Sequence, residues 1–150
     1  MQEEIIFAGF GGQGVLFAGQ LLAYTALAEG KHVTWIPSYG PEMRGGTANC
    51  TVVVSDEPIG SPVTKHPSIA VVFNNPSLEK YEELVKPGGL LVVNQSLITI
   101  ETHRTDITLV RIPATALASE MGDVRLTNML LFSAMLAQRP VVSLETAQEV

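Results

Sequence analysis

The stretch Glu4-Ile5-Ile6-Phe7-Ala8-Gly9-Phe10-Gly11-Gly12-Gln13-Gly14 decides the fold. Its opening, Glu4 to Gly9, is a short β-branched apolar run closed by glycine, the pattern of a buried strand. A glycine-rich loop follows. From Val15 to Glu29 the apolar residues Val15, Leu16, Leu22, Ala23, Ala26 and Leu27 recur at helical spacing, and Gly30 stands where a helix C-cap belongs. The unit is strand, loop, helix. Gly9 to Gly14 satisfies G-x-G-x-x-G in the context that pattern requires. Without β-carbons in the way, backbone amides and the positive end of a helix can face an anion there. A tight turn that only packs helix on strand would read the same. A dinucleotide site also calls for Asp or Glu at the end of the second strand. Here that strand ends Trp35-Ile36-Pro37-Ser38 and Glu29 precedes it, so a nicotinamide site lacks its best support. The loop also lacks the Gly-Lys-Ser/Thr ending of a P-loop.

Working outward, His32 to Ile36 reads as a second strand cut off by Pro37. Thr47 to Ser55 alternates Thr47, Asn49 and Thr51 against Ala48, Cys50 and Val52, which predicts a half-buried strand toward a sheet edge. Asp56 to Pro67 holds three prolines and reads as a loop. Ile69 to Phe73 and Leu90 to Val93 have the character of buried parallel strands. Between them Ser77 to Val85 is predicted helical, with Ser77 as N-cap and Pro87-Gly88-Gly89 as its end. Ile107 to Ile112 is a further strand. Ala114 to Met121 and Thr127 to Gln138 read as helices separated by Gly122-Asp123. Ser143 opens another helix that the sequence leaves at Val150, so the expectation is one domain over residues 1–150, cut short at its C-terminus. Strands alternating with helices predict a three-layer α/β/α domain around a mainly parallel, mixed sheet.

Composition narrows the function classes. Of the 150 residues 46% are hydrophobic and 16% charged, against about 25% charged in ordinary soluble domains. That deficit of solvated surface points to partner chains covering part of the exterior. No apolar stretch reaches the ~20 residues of a membrane span. The acidic start Met1-Gln2-Glu3-Glu4 is unlike a secretory signal, so the expected location is the cytoplasm. A net charge of −6 with no basic run argues against nucleic acid. The single cysteine, Cys50, cannot form an intrachain disulfide or supply the four thiolates of an iron–sulfur cluster. It alternates onto the apolar face of its strand and reads as a packed thiol. His32, His66 and His103 show no metal-ligand spacing, and no metal is assigned.

Ser38-Tyr39-Gly40-Pro41-Glu42-Met43-Arg44-Gly45-Gly46 has three glycines and a proline in its last seven residues and reads as an ordered loop. Taken with Gly11-Gly12-Gln13-Gly14 and with Val54-Ser55-Asp56-Glu57-Pro58-Ile59, it resembles the gamma subunit of the 2-oxoacid:ferredoxin oxidoreductases. The likeness runs from the first strand to the end, and the family continues beyond position 150. It implies the three-layer gamma domain, which is a separate chain or one domain of pyruvate:ferredoxin oxidoreductase. The form of the second loop is more similar to the 2-oxoglutarate or branched-chain 2-oxoacid enzymes than to the pyruvate enzymes. The related subunit of indolepyruvate oxidoreductase is an alternative.

By that resemblance the assembled enzyme oxidatively decarboxylates a 2-oxoacid, passes the acyl group to coenzyme A and reduces ferredoxin. Thiamine diphosphate and iron–sulfur clusters belong to other chains. The partners implied are the alpha and beta subunits, with delta as a further candidate, and ferredoxin through the complex. No cofactor is expected on this chain alone, no residue is assigned a catalytic role, and the isolated chain is expected to be inactive. The candidate ligand or interface residues are Gly9, Gly11, Gly12, Gln13 and Gly14 in the first loop. The second loop adds Ser38, Tyr39, Gly40, Glu42, Arg44, Gly45 and Gly46. Arg44 would contact a phosphate or carboxylate and Glu42 a neighbouring subunit; an ion pair that only holds the loop together is the alternative. Asn74, Asn75 and Asn94 follow parallel strands, where ligands of open α/β sheets bind, although caps and turns use the same residues. The rival functions are a free-standing nucleotide-binding protein or dehydrogenase using Gly9 to Gly14, and a ligand-free assembly scaffold.

Overall fold

The computed structural model describes residues 2–10, 14–38, 47–59, 66–96, 98, 104–123 and 126–143. Six strands form one sheet: β1 (Gln2–Phe10), β2 (His32–Ser38), β3 (Thr47–Ser55), β4 (Ile69–Val72), β5 (Leu90–Asn94) and β6 (Thr108–Ile112), in the order β2-β3-β1-β4-β5-β6. β1 runs parallel to β4, β4 to β5 and β5 to β6, while β3 is antiparallel to both β1 and β2. The sheet is therefore mixed, with β3 as the one reversed strand. Among the described residues four helices accompany it: α1 (Val15–Ala28), α2 (Asn75–Tyr81), α3 (Ala114–Glu120) and α4 (Thr127–Gln138).

Strand alternation divides the interior into two cores. Ile5, Phe7, Cys50, Val52, Ile69, Val71, Leu90 and Val92 face α1 and α4, where Leu22, Leu131, Phe132 and Met135 meet them. Ile6, Ala8, Ala70, Val72, Leu91 and Val93 face α2 and pack on Leu78, Tyr81 and Val85. Helices on both faces confirm the three-layer α/β/α expectation.

Several boundaries differ from the sequence reading. β3 stands next to the edge rather than at it: it lies between the edge strand β2 and β1, and Val52, Val53, Val54 and Ser55 are all buried. Its wet-and-dry alternation is confined to the first half. β2 continues through Pro37 to Ser38 because it is the edge strand, where a missing N–H breaks no ladder on the open side. α2 begins earlier, with Asn74 as N-cap: its side chain accepts from the Ser77 N–H at 3.0 Å. α2 also stops at Tyr81 rather than Val85, and Arg104 donates to the carbonyls of Glu82 at 3.0 Å and Val85 at 2.6 Å just beyond it. The helix expected from Ser143 falls on residues 144–150, outside the described ones.

α1 ends as its Gly30 suggests. Lys31 N–H donates to Ala26 and Gly30 N–H to Leu27, the paired bonds of a Schellman motif. Within α1, Gly19 exists for close approach: a β-carbon there would sit 2.2 Å from Cys50 Sγ. The amino ends of the parallel strands, the sheet edge at which α1 also ends, are tied by charge. Glu3 accepts from Ser68 Oγ at 2.7 Å and pairs with Arg139 at 3.3 Å, and Arg139 also reaches the Gly88 carbonyl at 2.6 Å.

Candidate functional site

The described candidate residues gather at one edge, the carboxyl ends of the parallel strands. One row across the sheet reads Ser38, Asn49, Ala8, Val72, Val93, Arg111. Gly9 lies one residue beyond this row, Asn94 closes β5, and Asn74 follows β4 after Phe73, whose N–H donates to the Ala8 carbonyl. β1 and β2 run the same way with β3 between them, so they are not neighbouring parallel strands. The ends of β1 and β2 lie two strand spacings apart, about 10 Å. The link between the loops is closer than that. β1 leaves the sheet at Phe10, directly opposite Thr47, where β3 enters it. The glycine loop and the second loop therefore have anchoring residues paired across one strand ladder. Gly11, Gly12, Gln13, Tyr39, Gly40, Glu42, Arg44, Gly45 and Gly46 lie outside the described residues.

Gly14 is the N-cap of α1, in the left-handed region at φ 76°. Among the described residues no side chain caps the helix, and Gly14 supplies no side-chain acceptor to the first-turn amides. The Gly14 carbonyl accepts the first helical bond from Ala18 N–H at 3.0 Å and a second from Asn128 Nδ2 at 3.2 Å. A β-carbon at position 14 would lie 2.4 Å from that Nδ2. Both the backbone conformation and the neighbour demand glycine here.

The two asparagines at strand ends differ in use. Asn94 is fully buried, and its Oδ1 accepts from the N–H groups of Ser96, Ala114 and Thr115, while Nδ2 donates to Thr115 Oγ1 at 3.0 Å. It fastens the start of α3 to the end of β5. Asn74 caps α2 through Oδ1, yet its buried Nδ2 has no partner among the described residues. Asn75 is the first residue of α2.

Sequence reasoning missed Asn128, Thr127 and Thr115. Thr127 and Asn128 are buried at the start of α4, and Thr127 Oγ1 lies 3.5 Å from Thr115 Oγ1. The chain Asn94, Thr115, Thr127 thus ends beside Asn128, which holds the glycine loop. The available signal was two adjacent polar residues opening a mostly apolar helix. Cys50 is a core thiol: burial pushes it up to about 12, and its Sγ lies 3.7 Å from the Val15 carbonyl. Among the described residues no three His, Cys, Asp or Glu side chains cluster as metal ligands, and no helix is long and apolar enough to cross a membrane.

Residues 4–150 match the family described as pyruvate ferredoxin/flavodoxin oxidoreductase. The chain belongs to this family. The resemblance carried by the three motifs, Gly11 to Gly14, Ser38 to Gly46 and Val54 to Ile59, therefore holds. Ketoisovalerate oxidoreductase subunit VorA of Methanothermobacter marburgensis is 41% identical over 136 residues, which are 91% of this chain and 28% of VorA. The chain thus spans about a quarter of that relative. 2-Oxoglutarate synthase subunit KorC of Methanocaldococcus jannaschii is 36% identical over 154 residues, covering 99% of this chain and 81% of KorC. Among solved structures, the keto/oxoacid ferredoxin oxidoreductase gamma subunit of Geobacter sulfurreducens superimposes with a TM-score of 0.87 at 29% identity, over 99% of this chain and 82% of the other. A 2-oxoglutarate:ferredoxin oxidoreductase of Magnetococcus marinus, solved with 2-oxoglutarate, coenzyme A and succinyl-CoA bound, gives 0.88 at 25% identity, over 99% of this chain and 26% of the other.

Proposed function

We propose that this chain is the gamma component of a cytoplasmic 2-oxoacid:ferredoxin oxidoreductase acting on 2-oxoglutarate or a branched-chain 2-oxoacid in preference to pyruvate. The observation that carries the reading is near full-length likeness to both a KorC chain and a solved gamma subunit. The VorA and KorC relatives support the substrate preference. In the assembled enzyme the 2-oxoacid loses its carboxylate as CO2, the acyl group forms a thioester with coenzyme A, and two electrons pass to ferredoxin. Thiamine diphosphate on a partner subunit supplies the carbanion stabilisation. Cluster ligation falls to the alpha, beta or delta partners, because the sequence has one thiol and it lies in the core against Trp35 and Val15.

This chain's own part is at the carboxyl edge. The amino end of α1, which no described side chain caps, favours an anion. Arg44, six positions after Ser38 at the end of β2 and three before Thr47 at the start of β3, would add a cationic fork from the second loop. Coenzyme A phosphate is the anion proposed, and a carboxylate of a partner subunit is its competitor. Replacing Arg44 with Ala in the assembled enzyme is expected to raise the apparent coenzyme A requirement while leaving coenzyme A-independent decarboxylation nearly unchanged. Equal loss of both would mean failed assembly, and loss of neither would remove Arg44 from the site.

A further inference from the structure

The two faces of the domain differ in charge. α1 and α4, 14 and 12 residues long, lie on the same face of the sheet and carry no charged side chain between them. On the other face α2 carries Glu79 and Lys80, followed by Glu82, Glu83 and Lys86. A helix that is apolar all round belongs in an interior, whereas one that ends at solvent carries charge on its outer side. On α1 the outer side holds Phe17, Tyr24 and Leu27, which are 56%, 53% and 55% exposed. With Gln20 they are spaced i, i+3, i+7, i+10, so they form one stripe along the helix. Gln20 Nε2 lies 3.4 Å from Tyr24 Oη, so even the polar members of the stripe face each other.

We infer that the Phe17–Tyr24–Leu27 stripe of α1 is the docking surface for the companion polypeptide that VorA-type relatives carry on the same chain. The inference rests on the gamma-component reading above. The domain occurs as 28% of VorA and 26% of the Magnetococcus chain, but matches 81% of KorC. Most of each longer chain is therefore polypeptide that is covalently attached to this domain there and separate from a KorC-like chain. A tether supplies a high local concentration, which a separate subunit must replace with its own contact energy. Large, uncharged, aromatic and aliphatic side chains in a row are the groups that supply it. Because the stripe offers no charge, the complementary surface is expected to be apolar and without a fixed ion-pair partner.

The test is thiol labelling in the native complex. Cys50 is fully buried, so an introduced surface cysteine is the reactive one. Tyr24→Cys and, on the opposite face, Glu79→Cys are introduced singly and labelled with a maleimide, both as free chain and in the purified oxidoreductase. Labelling at position 24 is expected to slow at least about tenfold in the complex, as at a water-excluding interface centre, while position 79 keeps its rate. An unchanged rate at position 24 overturns the inference. So does slowing already present in the free chain that disappears on dilution, which would make the occupant a second copy. A chain that purifies without any larger polypeptide overturns the gamma-component reading itself, and is recognised before any labelling. Phe17→Lys with Leu27→Lys gives the second readout: a variant with parental circular dichroism and melting is expected to be lost from the complex, and its retention there contradicts the docking surface.

Discussion

Asn128 Nδ2 donates to the Gly14 carbonyl at 3.2 Å and would lie 2.4 Å from any β-carbon at position 14. One residue of α4 thereby fixes the exit of the glycine loop and excludes every side chain from it. Asn128→Ala is expected to cost about 1 kcal/mol, the net value of one hydrogen bond, because Gly14 keeps its bond from Ala18. Gly14→Ala is expected to cost more, since the strained φ and the contact add. The double variant should fall short of the sum, because removing the amide relieves the contact. Urea unfolding of the three variants measures this, and strict additivity would show that the two residues do not meet.

Cys50 gives the protein a specific alkaline weakness. Burial pushes its thiol up to about 12, whereas an unfolded chain releases the proton near ~8.5. Between those values the folded state holds a proton that the unfolded state has lost, so the stabilisation is complete below the unfolded value and drains away as pH rises. The slope approaches about 1.4 kcal/mol per pH unit above pH 9. Melting temperatures of the parent should fall more steeply from pH 8.5 to 10.5 than those of Cys50→Ala, whose titrating groups are otherwise identical. Parallel curves would show that the thiol ionises as freely in the fold as outside it.

What was legible in the sequence is what local chemistry dictates. Ile5-Ile6-Phe7 is apolar on both sides, so β1 reads as a buried strand, and between β3 and β4 it is one. Gly30 reads as a helix stop because its hydrogen bonds are local. The place of β3 was not legible: Thr47 to Thr51 alternates like an edge strand, but being inserted between β1 and β2 is a matter of long-range pairing. Pro37 misled for the same reason, since a proline ends a strand only when both sides are paired. Ser77 and Asn74 both suit an N-cap, and the choice of Asn74 follows from where β4 ends.

The candidate site was half legible. The strand-end positions of Gly9, Ser38, Asn74 and Asn94 follow from alternating strands and helices, and they do share an edge. That Asn94 is occupied by Ser96, Ala114 and Thr115 could not be read, because two of these partners lie about twenty positions away. Asn128 was invisible for a stronger version of that reason: it meets Gly14 across 114 positions.

A chain that works as one subunit of a larger oxidoreductase is expected to keep its partners through native purification. The untagged chain is followed through anaerobic fractionation, and each pool is assayed for dye or ferredoxin reduction with a 2-oxoacid and coenzyme A. The expected result is co-elution with larger polypeptides containing iron and thiamine diphosphate, with activity that requires both substrates and is absent from the isolated chain. Elution as a lone protein free of that activity, or stoichiometric iron and turnover in the isolated chain, would show that it is not such a subunit.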